Sequence, residues 1–385
     1  MSGLAAAGPE DSVRLLALGE LLGRPAIAFD EFPVRKLIRN RRILVTGAGG
    51  SIGAELVRQI AALGPAHVTL VENSEFNLYA IDQYLREHRP ELSRSAVFCD
   101  IRDRDVLFDW FGREQPDVVF HAAALKHVPM AEAHPLESVR TNLLGACNVA
   151  DACATHHVGV MVFVSTDKAV NPLSVMGAAK RAAEAYCQAM DVEAGPTRFV
   201  SVRFGNVLGS SGSVAPLFQR QIAEGGPITL THPDVSRYFM TLGEAVSLLL
   251  QAATLRDMPS DVRGGVYVMD IGDPIRIADL ARLMIRMAGR RPEQDIEVRI
   301  VGLRPGEKLD EELVHPDEKR ILRTASGLSL VGPRTQALAE LRAQFAEIDR
   351  IVHTLDRAET LRLLKTLVPE YDPIDSAEPA VAVGH

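Results

Sequence analysis

Positive charge is what this chain has little of. Its 385 residues include 42 lysines and arginines against 50 aspartates and glutamates, a net charge of -8. That balance excludes the broad cationic surface that nucleic acid or an anionic membrane requires. An anionic substrate must instead be held by local lysines and arginines. Cysteine is equally sparse: Cys99, Cys147, Cys153 and Cys187 stand far apart, with no CxxC or Cys/His ligand spacing. A disulfide framework and a metal site are thereby excluded, and the four read as reduced thiols of a cytoplasmic protein. No run approaches the ~20 apolar residues of a membrane helix. The start, MSGLAAAGPEDS, lacks the basic end and apolar stretch of a signal peptide. No membrane insertion is expected, and no internal repeat is evident.

What the chain does have is an ordinary globular composition, 47% hydrophobic and 24% charged, and enough length to bury roughly 75% of its unfolded surface. From Arg41 onward, strand candidates at 43–46, 68–72, 96–99, 118–120, 160–164 and 199–202 alternate with helical stretches. The first of these places Ile52, Leu56, Ile60 and Leu63 on one side. The pattern predicts an α/β protein of Rossmann type, a doubly wound parallel sheet with right-handed crossovers, over residues 41–205 with 236–271 returning to it. Residues 206–235 and 272–330 are expected to form a smaller substrate-binding lobe. Residues 1–40 read as an arm with a short helix through Leu15, Leu18 and Leu22, lying on the main domain or on a second subunit. In the tail, residues 331–385, Leu341, Phe345, Ile348, Val352 and Leu355 form an apolar stripe at helical spacing. Packing on its own domain fits it first and an oligomer contact second; a homo-oligomer is expected.

Thr46 to Gly53 reads TGAGGSIG, after the first strand and opening the first helix. Gly47, Gly50 and Gly53 permit a tight turn, and with Ser51 and Ile52 they bring backbone N–H groups to a pyrophosphate at the positive end of a helix. Glu72, nineteen residues past Gly53 at the end of the second strand, matches the acidic ribose contact of a dinucleotide site. A carboxylate there favours NAD, while Asn73 and Ser74 leave NADP open. Asp100 and Ile101 would flank the adenine. Ala122, Ala123 and Ala124 would line the cleft, although close packing explains these small residues equally well.

The stretch STDKAVNPLSVMGAAK, residues 165–180, places ionisable groups where the apolar run 160–164 stops. Ligands of open α/β sheets bind beyond such carboxyl ends. Thr166, Asp167 and Lys168 therefore face the same crevice as Lys180, which lies four residues after Met176 on one helical face. The alternative is a solvated Asp–Lys turn pair with no chemistry.

Taken in order, TGAGGSIG, HAAALKHVPMAE (121–132), STDKAVNP with MGAAK, RFGNVLGSSGSV (203–214), RPGEKLDEEL (304–313) and VPEYDP resemble the extended short-chain dehydrogenase/reductases. More closely, they resemble the bacterial UDP-N-acetylglucosamine 4,6-dehydratases, over residues 15–373. Many relatives carry membrane helices ahead of this domain, so a naturally soluble member or a truncated piece is expected. The resemblance implies hydride transfer from C4 of a UDP-sugar to NAD. Lys168 then removes the C5 proton while Asp167 protonates the departing 6-hydroxyl, and hydride returns to C6. The family tyrosine four residues before the lysine is replaced by Met176, which cannot transfer a proton. This leaves Thr166, Asp167 or Lys168 as base for the 4-hydroxyl, and Lys180 to hold the nicotinamide ribose. The branch sharing the methionine retains configuration at C5. Lys126, His127, Asn206, Ser211, Ser213, Arg237, Arg304, Glu307 and Lys308 are candidates for the sugar or the UDP phosphates, and a surface salt bridge explains any single one of them equally well. Rival readings are a nucleotide-sugar 4-epimerase, a C5-inverting dehydratase and a non-catalytic NAD-binding sensor.

Overall fold

The computed structural model describes residues 29–193, 195–210, 212–255, 262–269, 271–324 and 327–373. Strands β1 (Arg42–Thr46), β2 (His67–Glu72), β3 (Arg94–Phe98), β4 (Val118–His121), β5 (Val160–Val164) and β6 (Arg198–Arg203) pair in parallel in the order β3-β2-β1-β4-β5-β6. The order reverses between β1 and β4, which creates a crevice at the carboxyl ends of the strands. The strands read as unbroken apolar runs because both faces are covered. Ile43 and Val45 enter one apolar layer and Leu44 the other.

Helices α1 (Glu31–Ile38), α2 (Ser51–Ala62), α3 (Glu75–His88), α4 (Arg104–Glu114), α5 (Ala146–Thr155), α6 (Val175–Val192), α7 (Val214–Ala223), α8 (Leu242–Thr254), α9 (Ile277–Met287), α10 (Leu338–Val352) and α11 (Arg357–Leu367) follow in chain order. One face of the sheet carries α1, α2 and α8, and the other carries α4, α5 and α6 beneath α10 and α11. Helix α1, capped by the Asp30 side chain, buries Val34, Leu37 and Ile38 in the main core. That part of the expected arm belongs to the main domain, while the leucine-rich helix ending at Gly23 lies outside the described residues.

Two sequence-based expectations are corrected. Residues assigned to the lobe up to position 330 instead rejoin the main sheet. β7 (Val266–Met269) lies parallel to β6, and β8 (Arg320–Arg323) and β9 (Leu328–Val331) extend the sheet antiparallel beyond it. Leu328 and Leu330 drive this, entering the same apolar layer as Val200 and Val202. The tail stripe ends at Val352. Leu355 is 72% exposed with φ +62, because Asp356 accepts from the Glu359 amide and starts α11 there.

A separate apolar cluster, with Phe218, Ile228, Leu230, Phe239, Leu280 and Ile285, is built by α7, α9 and the parallel pair Ile228–Leu230 with Val298–Ile300. This lobe lies over the carboxyl end of β5. Lys308 Nζ donates to the Val170 carbonyl at 2.7 Å, and Asn171 Nδ2 to Glu312 Oε2 at 2.7 Å.

Candidate active site

The turn after β1 is packed too tightly for side chains. Gly47 has φ +64, and a Cβ on it would lie 2.7 Å from the Ala123 backbone; a Cβ on Gly53 would overlap the Gly47 carbonyl. Gly50, which precedes α2, meets only the Gly47 oxygen at 3.3 Å. It leaves the helix end open where Ser51 and Ile52 begin α2. At the edge of this turn Glu72 Oε2 accepts from Gly49 N at 3.0 Å, and Oε1 accepts from the amides of Asn73 (3.0 Å) and Ser74 (3.1 Å). Asp100 is held by Arg102 at 2.6 Å and by Asn73 at 3.3 Å, and the Ile101 carbonyl accepts from Asn148 at 3.1 Å. Thr46 Oγ1 and His121 Nδ1 are 2.7 Å apart in full burial, locking the ends of β1 and β4 just before Ala122 and Ala123. An open helix end with a carboxylate one strand away fits a dinucleotide's pyrophosphate and ribose.

Across the crevice, Asp167 is fully buried, which rules out a solvated turn pair. Its Oδ1 accepts from Thr166 Oγ1 and from Lys168 Nζ, both at 2.9 Å, and its Oδ2 has no partner. Lys168 Nζ also donates to Asn206 Oδ1 at 3.3 Å. Burial alone would lower the Lys168 pKa, but the charges of Asp167 and then Glu311 outweigh it, and the ammonium is held above its ordinary range. Helix α6 docks directly on this turn. Ser174 caps it at Gly177 N (3.1 Å), and Gly177 lies so close to the Lys168 carbonyl that a Cβ would overlap it. Met176 is thereby buried beside the turn, with no proton to offer. One turn on, Lys180 Nζ donates to the Val164 carbonyl at 3.1 Å and lies 4.5 Å from the centre of the Phe163 ring. Burial pulls its pKa down to about 8, with Cys187 and Glu184 opposing.

The remaining candidates are distributed unevenly. Lys126 Nζ reaches Ser210 Oγ at 3.5 Å, and His127 packs against Gly212. Burial lowers both pKa values, and Lys126 adds to the effect on His127. Arg237 is buried, donating to the carbonyls of Leu309 (2.9 Å) and Lys308 (2.8 Å) and reaching Glu307 at 3.5 Å. Ser213 stands at the start of α7 with its hydroxyl unpartnered. Arg304 is exposed, and Ser211 lies outside the described residues.

Sequence reasoning missed three things. Glu311, 7% exposed, lies 3.7 Å from Lys168 Nζ and 3.9 Å from Arg237 Nε. Buried Asn142, on the wide-wound stretch Arg140–Gly145, exchanges two 2.8 Å hydrogen bonds with the Leu125 backbone and so shapes the loop bearing Lys126 and His127. Asn142 follows Arg140 and Thr141 in the sequence, so nothing local marked it as buried. Arg203, fully buried, forks between Glu184 (2.7 Å) and Glu318 (2.7 Å), while Ser165 donates to Glu184 at 2.5 Å. This network ties the root of the turn after β5 to Glu318, at the end of the lobe segment.

The family model described as "Polysaccharide biosynthesis protein" matches residues 43–329. The chain belongs to this family. It is 43% identical to the capsular polysaccharide biosynthesis protein CapD of Staphylococcus aureus, over 80% of this chain and 51% of that one. The chain thus spans about half the length of that relative. It is 32% identical to a UDP-N-acetylglucosamine 4,6-dehydratase (inverting) of Campylobacter jejuni, over 74% of this chain and 80% of the relative. Among solved structures, Pen from Bacillus thuringiensis superposes with TM-score 0.70 at 32% identity, covering 78% of this chain and 90% of that one. The residues matched by the family model include the strands β1 to β8 and the turns that follow β1 and β5. Among the described residues, no helix is long and apolar enough to cross a membrane, and no group of His, Cys, Asp or Glu is placed to hold a metal.

Proposed function

We propose that this chain is an NAD-dependent nucleotide-sugar 4,6-dehydratase acting on UDP-N-acetylglucosamine, with configuration retained at C5. The observation that carries the reading is the Asp167–Lys168 pair, an acid and a base side by side at the end of β5, with the carboxylate fully buried and the lysine about one-fifth exposed toward the crevice. An epimerase, which only oxidises and re-reduces C4, needs no such pair.

NAD, when bound, supplies the hydride acceptor for C4 and the hydride donor for C6. Gly50 and the start of α2 would take its pyrophosphate, Glu72 the adenosine ribose and Lys180 the nicotinamide ribose. The rest is proton handling by this chain. Oxidation of C4 releases one proton and loss of the 6-hydroxyl consumes one, so a single group can do both. Thr166 Oγ1 bridges to Asp167 Oδ1 at 2.9 Å. It can pass the 4-hydroxyl proton to Asp167, which returns it to the leaving 6-hydroxyl, and the tyrosine replaced by Met176 is not needed. The C5 proton becomes removable only alpha to the new ketone, and Lys168 takes it. Because Lys168 is also the group that gives it back, removal and return share a face. The four buried, unpaired cysteines fit a reducing, cytoplasmic compartment.

Incubation with UDP-N-acetylglucosamine and NAD, followed by mass spectrometry, tests the reading. Loss of one water is expected. An isomer of unchanged mass would establish the epimerase, and no conversion alongside tight NAD binding would favour a sensor.

A further inference from the structure

Lys168 is assigned above as a base, yet two carboxylates hold it as an ammonium, and it must lose that proton before it can take another from C5. Asp167 cannot receive it, because in the same step Asp167 has to arrive protonated to release the 6-hydroxyl. The group left within reach is Glu311. Its Oε1 lies 3.7 Å from Lys168 Nζ, its Oε2 is buried without a hydrogen-bond partner, and no substrate role is needed to explain its place. We propose that Glu311 is the proton acceptor for Lys168, taking the ammonium proton before the C5 step and returning it after turnover. This rests on the dehydratase reading.

The protons balance. The 4-hydroxyl proton passes through Thr166 to Asp167. The ammonium proton of Lys168 moves to Glu311. Neutral Lys168 removes the C5 proton while Asp167 gives its proton to the leaving 6-hydroxyl, which departs as water. Lys168 then returns its proton to C5 as hydride reaches C6, and Glu311 hands the stored proton back to Lys168. The 3.7 Å separation must tighten by roughly 0.5–1 Å to reach hydrogen-bond distance, as catalytic contacts do once substrate is bound. The groups facing Glu311 are Lys168 and Asp167 from the catalytic turn, Arg237 from the lobe, 3.9 Å away, and Lys308 on its own segment, 4.0 Å away. Burial raises the Glu311 pKa and Asp167 adds to it, against Lys168, Arg237 and Lys308, so the carboxyl accepts a proton more readily than an exposed glutamate. Glu311 acts through Lys168 and is a positioning residue.

The test is turnover of Glu311→Gln and Glu311→Asp as a function of pH, in the full chain with NAD and UDP-N-acetylglucosamine. For Glu311→Gln, KM and NAD binding are expected to be unchanged and kcat for water loss to fall about 100-fold at pH 7. The deficit relative to wild type should shrink about tenfold per pH unit toward pH 9, as bulk water takes over deprotonation of Lys168. Glu311→Asp keeps a carboxyl group and should show a deficit under about tenfold at every pH. A Gln deficit that is the same at all pH values, or turnover near wild type, overturns the role. Should the Gln variant not fold, an Asp variant that binds NAD but is inactive overturns it equally. Wild-type protein that turns over without losing water overturns the dehydratase reading and this role with it. Water loss by wild type together with a pH-independent Gln deficit overturns Glu311 alone.

Discussion

Replacing Lys180 with methionine should stabilise the protein near neutral pH while weakening its hold on the cofactor. The lysine is 5% exposed, and its Nζ contacts are the Val164 carbonyl and the face of Phe163. Burial lowers its pKa from the ordinary 10.5 to about 8. In the unfolded chain the group titrates near 10.5, so between the two values the unfolded state holds a proton that the folded state lacks, and stability rises with pH across that window. Below about pH 8 both states are protonated and the full penalty of burying the charge applies. At about 1.4 kcal/mol per pH unit this amounts to roughly 3 kcal/mol. Methionine fills similar space without charge, at the loss of one hydrogen bond of about 1 kcal/mol. Urea unfolding of wild type and Lys180→Met, without cofactor at pH 7 and pH 10, measures the difference. The variant should be more stable at pH 7 by about 2 kcal/mol, and wild type should regain most of the roughly 3 kcal/mol by pH 10. Comparing the two cancels other titrating groups such as Tyr186. A difference that does not change with pH would refute the buried ammonium. In calorimetric titration the variant should bind NAD more weakly, since the donor assigned to the nicotinamide ribose is gone.

Glu72→Ala should weaken NAD more than NADP, because only NAD offers a free 2'-hydroxyl to a carboxylate; equal loss would show that Glu72 serves only the Gly49, Asn73 and Ser74 amides. Arg203→Met leaves Glu184 and Glu318 buried without their cation and should lower stability by about 3–5 kcal/mol, and a urea midpoint close to wild type would contradict the closed triad. With substrate deuterated at C4 and run in deuterated water, the early product should be UDP-2-acetamido-2,6-dideoxy-α-D-xylo-hexos-4-ulose, with solvent deuterium at C5 and the substrate's deuterium at C6. Proton NMR showing the L-arabino product would remove the same-face assignment of Lys168.

Local signals made the parallel sheet and the two strand-end loops legible. Glycines at 47 and 53 announce a turn that only glycine fits, and the run 160–164 announces a buried strand with Asp167 and Lys168 at its end. What the sequence could not reveal is closure over long separations. Glu311 looks like one acid in an acidic stretch, and only the docking of the lobe on Val170 and Asn171 places it beside Lys168. Arg203 sits at the end of β6, where nothing local announces a fully buried guanidinium with two carboxylate partners. The fate of residues 320–331 was obscured because two strands of four residues, RILR and LSLV, carry too little periodicity to separate a sheet edge from a lobe. Leu355 fits helical spacing, but the Asp356 cap, a stop-and-restart signal, outranks it.

The Arg203 fork also has a bearing on time. Glu318 lies 115 residues beyond Arg203. At the ~5–20 residues per second of protein synthesis, that is on the order of ten seconds during which the nascent chain has the arginine without its second carboxylate. Through most of that interval β6 is an open sheet edge, because β7, β8 and β9 emerge after it. The turn after β5 is thus among the earlier parts to leave the ribosome and among the last to be sealed. A chain halted before Glu318 would contain the Asp167–Lys168 pair and the glycine turn, with the Arg203 cation held by Glu184 alone. Such a fragment is a substrate for chaperones and proteases and not for chemistry.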